Sequence, residues 1–256
     1  MSDRVLRLEG VHNFRKFGAY DLVTGGKVRD GLYRSGQFSR ATPADIETMD
    51  GLSVRVVADL RRPREREAEP SHWPQREGVV VLASDHAGSD EPPHLVFLRE
   101  SDMSLDSIRG FMTQTYRRLP FDPGNQWVFA NGLRQLADSK PDDGFIVHCA
   151  AGKDRTGLFC ALLLTALGVD EEMVREDYLM TNTAVDFDRL VPAVGKRLEE
   201  TLGKKTGHEE LRAFLGVDPV YYDAAMEAIG DQRAYLRDAL GLEDAVIERL
   251  RETLTG

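Results

Sequence analysis

Phe145-Ile146-Val147-His148-Cys149-Ala150-Ala151-Gly152-Lys153-Asp154-Arg155-Thr156-Gly157 runs directly into the apolar stretch Leu158 to Val169. The first four residues are a short apolar run behind the turn Pro141-Asp142-Asp143-Gly144, which predicts a buried strand. The stretch after Gly157 predicts a buried helix. A strand that hands a glycine-containing loop to a helix start is a strand–loop–helix unit, and in open α/β sheets such loops carry the chemistry.

Outward from this unit the pattern continues. Before it, Val54 to Leu60, rich in β-branched residues, and Val79 to Leu82 predict strands, and Leu32-Tyr33-Arg34-Ser35-Gly36 belongs to an opening region of short strands and turns. Thr42-Pro43 starts a helix that ends near Gly51, with a capping residue followed by proline at the first helical position. Arg61 to Glu69 predicts a solvated loop or short helix, and Asp85 to Pro93 a polar loop. Helical periodicity covers about Leu105–Leu119 and Asn125–Asp138. After the central unit nearly everything is helical: Glu171 to Met180, Phe187 to Leu202, and shorter helices to the end. The expected fold is α/β, a mostly parallel central sheet flanked by helices, forming one domain over residues 1–256. The helical segment 182–230 exceeds what such a sheet needs and reads as an insertion. Within it Phe187, Leu190, Val191, Val194 and Leu198 form a packing stripe at spacings of three and four.

Composition bounds the partners. The chain has 256 residues, 41% hydrophobic and 30% charged, with a formal net charge of −10. That apolar content excludes disorder as the main state. The acidic excess argues against nucleic-acid binding and against stable association with anionic membranes. Cys149 and Cys160 are the two cysteines, too few for a disulfide framework, so a reducing compartment is expected. The charged N-terminus lacks the apolar stretch of a secretory signal. The longest apolar run falls short of the roughly 20 residues a bilayer crossing needs. The expected location is cytoplasmic.

The Cys-x5-Arg spacing of Cys149 and Arg155 is weak alone; its setting gives it meaning. The N–H groups from Ala150 to Arg155, with Ala151 and Gly152 between, can form an anion nest, and the following helix directs its positive end there. Gly152 permits backbone angles that a side chain resists. Such a field favours thiolate over thiol at Cys149, which makes it a nucleophile. Arg155 offers a planar fork for two phosphate oxygens, Thr156 a hydroxyl for the cysteine sulfur, and Lys153 positive charge at the pocket mouth. Asp59 ends a strand, where residues face the site in such folds, and reads as an orienting carboxylate or as a partner of Arg61 or Arg62. Cys160 reads as a core residue and His148 as a buttress of the loop. No metal-ligand spacing occurs among the scattered histidines, so neither metal nor other cofactor is expected.

His148 to Gly157 resembles the signature loop of the cysteine-dependent protein tyrosine phosphatase superfamily. The form His-Cys-x-x-Gly-Lys-Asp-Arg-Thr-Gly is closer still to the bacterial tyrosine/serine phosphatases, which include lidded enzymes acting on phosphotyrosine, phosphoserine/threonine and phosphoinositides. Asn13-Phe14-Arg15 with Gly18 and Tyr20, then Leu32 to Gly36, resemble further blocks of that family. So do Asp59-Leu60-Arg61 with Glu65-Arg66, and, near the C-terminus, Tyr235-Leu236, Leu240-Gly241-Leu242 and Leu250-Arg251. Lys16, Phe17 and Ala19 depart from the first block, where the family has Asp, Leu and Gly.

The resemblance implies a phosphatase fold and in-line attack by Cys149 on phosphorus through a cysteinyl-phosphate, without a metal. It implies phosphotyrosine as substrate, with phosphoserine/threonine as an extension. A phosphoinositide or inositol-phosphate phosphatase on the same loop is the alternative, and a phosphate-binding pseudophosphatase a third reading, opposed by the intact Cys149 and Arg155. A sulfurtransferase would need arginine where Asp154 stands. The closer family suggests Asp154 as general acid, with Asp85 and Asp122 as loop-borne rivals. Trp73-Pro74, followed by Gln75, reads as a plain turn. In lidded members helices such as those of the insertion cover the active site.

Overall fold

The computed structural model describes residues 3–74, 77–88 and 91–256. Among the described residues five strands form one sheet: β1 (Arg15–Lys16), β2 (Leu32–Ser35), β3 (Val54–Asp59), β4 (Val80–Ala83) and β5 (Gly144–His148), in the order β1-β2-β5-β3-β4. Only β1 is antiparallel to its neighbour; the other three pairings are parallel. β5 thus lies between β2 and β3, and its C-terminal end opens at the point where the chain winds to both sides.

Alternation along the strands divides the core. Phe145 and Val147 of β5, with Leu32, Val56 and Ala58, face the larger hydrophobic cluster. Ile146, Tyr33, Val54 and Val57 face a smaller one. Val54 and Val57 share a face because the β3–β5 register shifts between Val54 and Val56. On the smaller side lies α1 (Pro43–Asp50), whose Thr42 and Asp45 form a capping box. The larger side is covered by α4 (Leu105–Arg118), α5 (Pro123–Ala137), α6 (Asp154–Leu167), α7 (Glu171–Leu179), α11 (Pro219–Ile229) and α12 (Asp244–Leu254). Burying α6 nearly all round explains why its sequence is apolar without a polar face.

The remaining helices surround the site. α2 (Pro63–Ala68) follows β3 after three residues, and α3 (Pro93–Glu100) begins at the last residue of the expected loop Asp85–Pro93, of which residues 89 and 90 lie outside the described ones. Among residues 182–230, α8 (Thr181–Ala184) leads into α9 (Phe187–Leu202) and α10 (His208–Leu215), which build a third cluster from Phe187, Val191, Leu198 and Leu211. α11 belongs to the main core instead, through Tyr221, Tyr222 and Ala225. Among the described residues no helix is long and apolar enough to cross a membrane.

Candidate active site

The parallel register sets Ser35, His148 and Asp59 abreast at the C-terminal edge of the sheet. Cys149 is the next residue beyond that edge and is 2% exposed. The chain then turns through residues 150–153 before α6 begins at Asp154, four residues ahead of the apolar run that marks the helix in the sequence.

The loop carbonyls are tied down one after another. Ala150 O accepts from Gln37 N at 3.0 Å. Ala151 O and Gly152 O accept from Asn13 Nδ2 at 3.2 and 2.8 Å, and Gly152 O also from Arg34 Nη2 at 3.1 Å. Lys153 O accepts from Gly157 N at 2.8 Å. In a planar trans peptide the following N–H points the opposite way. The N–H groups of residues 151–154 are therefore turned away from these partners, and none from Ala150 to Arg155 donates a hydrogen bond among the described residues. Gly152 makes the turn possible: its φ is +67°, and a Cβ there would lie 2.3 Å from Ser35 O.

Behind the loop stands a buried polar network that no local sequence pattern announces. Arg34 donates to Asp177 Oδ2 at 2.6 Å, and Tyr20 donates to Asp177 Oδ1 at 3.1 Å. Arg15 donates to Asn13 Oδ1, to Asp177 O at 3.0 Å and to Thr181 Oγ1 at 3.2 Å. Burial, with the neighbouring Arg34 charge, pushes the Arg15 guanidinium down to about 9. Asn13, at φ +59°, is a residue type that tolerates the left-handed region. Gly157 leaves room for Arg34, since a Cβ would come within 3.2 Å of its Nη2. The blocks holding Asn13, Arg15 and Arg34 were legible as motifs; their task of gripping loop carbonyls depends on contacts more than a hundred residues apart.

Arg155 forms a bidentate pair with Glu65 of α2, Nη1 to Oε2 at 2.6 Å and Nη2 to Oε1 at 2.8 Å, and Nη1 also reaches Leu60 O at 2.8 Å. Burial alone would lift the Glu65 pKa; the Arg155 hydrogen bonds and charge outweigh it and hold it below the ordinary value. The sequence offered Glu65 only as part of a motif block. Asp154 accepts from Tyr116 OH at 2.6 Å, and Tyr116 OH accepts from Tyr178 OH at 2.9 Å.

Two expected contacts differ, and Asp59 takes one of its two expected partners. Lys153 is 7% exposed and its Nζ donates to Phe214 O at 2.8 Å and Gly216 O at 3.0 Å, where α10 ends, instead of standing free at a pocket mouth. Carbonyls at a helix C-terminus attract an ammonium. Thr156 Oγ1 is buried without a hydrogen-bond partner among the described residues, so the expected bond to sulfur is not formed. Asp59 is 3% exposed and pairs with Arg61 Nη2 at 2.7 Å, with His148 Nε2 at 3.6 Å. It stands at the end of β3, abreast of His148.

The other acids are engaged elsewhere. Asp122 caps α5 through Asn125 N and pairs with Arg62 at 3.0 Å. Asp85 is fully exposed beside Arg66. His148 is buried, and the loss of solvation lowers its pKa below the ordinary histidine value despite the neighbouring Asp59. Cys160 is in the core, where burial pushes its thiol up to about 12. Trp73 packs in the smaller cluster and donates to Asp50 Oδ1 at 2.8 Å; Gln75 beyond it lies outside the described residues.

A family model described as the tyrosine phosphatase family matches residues 6–256. The chain is 33% identical to the triple specificity protein phosphatase PtpB of Mycobacterium tuberculosis, over 98% of this chain and 99% of that protein. It is 32% identical to a putative tyrosine-protein phosphatase of Cupriavidus necator, over 94% of this chain and 85% of that one. A tyrosine-protein phosphatase of Nostoc commune is 23% identical over 88% and 74% of the two chains.

Proposed function

The chain belongs to the tyrosine phosphatase family and is a protein phosphatase, and from that premise we propose that its chemistry runs through Cys149, Arg155 and Asp154. The Cys149 thiolate attacks phosphorus, the S–P bond forms and the P–O bond to the leaving group breaks. Asp154 gives its proton to the departing oxygen. Water then attacks the cysteinyl-phosphate, Asp154 takes a proton from it, the S–P bond breaks, and inorganic phosphate leaves with the thiolate restored. Arg155 and the loop N–H groups stabilise the equatorial oxygens throughout. Lys153, Ala150, Ala151, Gly152 and Thr156 contribute through the backbone of the loop.

One observation carries this reading: the carbonyls of residues 150–153 are each bound by a donor of the scaffold, which leaves the N–H groups around Cys149 for an anion. The substrate range we propose is phosphotyrosine first, with phosphoserine and phosphothreonine also accepted. The supports for that range are the Asp154 carboxyl, which an alkyl leaving group needs, and the likeness to a protein named for triple specificity. The α9–α10 hairpin acts as a lid over this loop, a role supported by its separate small core and by the Lys153 link to the end of α10.

The test is Asp154→Asn assayed side by side on p-nitrophenyl phosphate, phosphotyrosine and phosphoserine peptides, and a phosphoinositide. The loss should grow as the leaving group becomes more basic, about 10²–10⁴-fold where proton transfer is fully required. Equal losses on all substrates would assign the acid elsewhere. Turnover confined to the phosphoinositide would replace the protein-phosphatase reading by the lipid one.

A further inference from the structure

We infer that Tyr116 is the positioning residue for Asp154, and that Tyr178 fixes the sense of the hydrogen bond it makes; the inference rests on the proposed role of Asp154 as acid. Tyr116 lies on α4 and Tyr178 on α7, each 1% exposed, while Asp154 opens α6. Three separate helices thus meet at one carboxylate. The rings pack edge to face at 6.1 Å, and Tyr221 of α11 lies 5.6 Å from Tyr116. The phenols have little room to turn.

Proton counting sets the direction of the chain. Each phenol has one proton, and a carboxylate can only accept. Tyr116 therefore gives its proton to Asp154 Oδ1 at 2.6 Å, and its own oxygen accepts from Tyr178 at 2.9 Å. Burial, above all, lifts both phenols well above the ordinary tyrosine value. Both stay protonated at any working pH, so the donor to Oδ1 is permanent. The rival cation is engaged elsewhere: Lys153 Nζ is 3.6 Å from Oδ1 and donates to Phe214 O and Gly216 O. With Oδ1 held, the proton that Asp154 gives and takes is carried on Oδ2, which makes no hydrogen bond among the described residues. An aspartate freed from Tyr116 could rotate and present either oxygen in several orientations, and proton transfer is sensitive to such misplacement.

Tyr116→Phe, Tyr178→Phe, Asp154→Asn and the Tyr116→Phe/Asp154→Asn double variant, each assayed on p-nitrophenyl phosphate and on phenyl phosphate, test this. Phenoxide is the poorer leaving group and needs the acid more. Tyr116→Phe should lower kcat on phenyl phosphate by about tenfold, the equivalent of one charge-assisted hydrogen bond, while kcat on p-nitrophenyl phosphate and both KM values stay within about twofold. Tyr178→Phe keeps the bond to Asp154 and should give a smaller loss in the same direction. In the Asp154→Asn background Tyr116→Phe should add nothing. Equal losses on both substrates, or a double variant whose loss is the product of the singles, would overturn the inference and leave the acid assignment standing. An Asp154→Asn variant with no selective loss on phenyl phosphate would instead remove the acid assignment, and the inference with it. Should Tyr116→Phe not fold, Tyr178→Phe carries the test: selective loss supports the chain and equal loss overturns it.

Discussion

Gly152→Ala strikes the loop at its tightest point. The Cβ it adds would stand 2.3 Å from Ser35 O and 2.6 Å from Gly36 N, where ordinary contact begins at 3.4 Å. Neither neighbour can give way easily, because Ser35 is paired in β2 and Gly36 N donates to His12 O at 2.8 Å. The loop itself must retreat by about 1 Å, and a displacement of that size at reacting groups costs roughly 100-fold in rate. The left-handed φ of +67° adds a backbone cost of about 1–2 kcal/mol for alanine, and the overlap about 1–3 kcal/mol more. At about 2–4 °C per kcal/mol for a chain of this size, Tm should fall by on the order of 10 °C. Gly168→Ala is the control: Gly168 ends α6 at φ +91° with open space around it, so it carries the backbone cost without moving the loop. The assay is kcat/KM on p-nitrophenyl phosphate together with vanadate inhibition, measured well below either Tm. Gly152→Ala should lose both activity and vanadate affinity, and Gly168→Ala neither. A Gly152→Ala enzyme within threefold of the parent would refute the reasoning, because the loop would then tolerate the displacement that its packing forbids.

Glu65→Gln should lower kcat/KM by roughly 10–100-fold, as expected when a charge-assisted bidentate bond to a partly buried cation is weakened, with Arg155→Lys no substitute for the lost bidentate grip. The Glu65 pKa is depressed in the fold, so its stabilising contribution is complete above the ordinary glutamate range near pH 4.5 and is lost as pH falls through the depressed value. The stability difference between parent and Glu65→Gln, followed by urea titration, should accordingly be flat from pH 7 to 5 and shrink below; a difference growing toward low pH would reverse the sign of the argument. Lys153→Met removes both bonds to the end of α10, and hydrogen exchange across residues 208–216 should speed up with α6 unchanged. Unchanged exchange there would mean that the lid is held by its apolar contacts alone.

The sequence exposed the scaffold through local signals and missed what distant segments do together. The strand ending at His148, the apolar α6, the Thr42–Asp45 cap and the Cys149–Arg155 loop each rest on a pattern within a dozen residues, and each stands in the fold. Pro92 and Pro93 suggest a loop, yet proline is favourable at a helix start, and α3 begins there. Nothing near Lys153 in sequence announces the carbonyls of Phe214 and Gly216, 61 and 63 residues further on, so the local pattern alone puts the ammonium at the mouth. Asn13 and Arg34 likewise acquire their task only when the sheet brings β2 beside β5. Asp59 showed the ambiguity in advance: a strand-end carboxylate two residues before an arginine can face the site or the arginine, and the buried pair with Arg61 prevails.

The central claim is that Cys149 takes the phosphoryl group from the substrate. The enzyme mixed with p-nitrophenyl phosphate, quenched in acid during turnover and mapped by peptide mass, should show one phosphoryl group on the peptide containing Cys149. The same mixing should release a burst of p-nitrophenol no larger than the enzyme concentration, and Cys149→Ser should abolish burst, adduct and turnover together. A phosphoryl group on any other residue, or steady turnover by Cys149→Ser, would contradict the account.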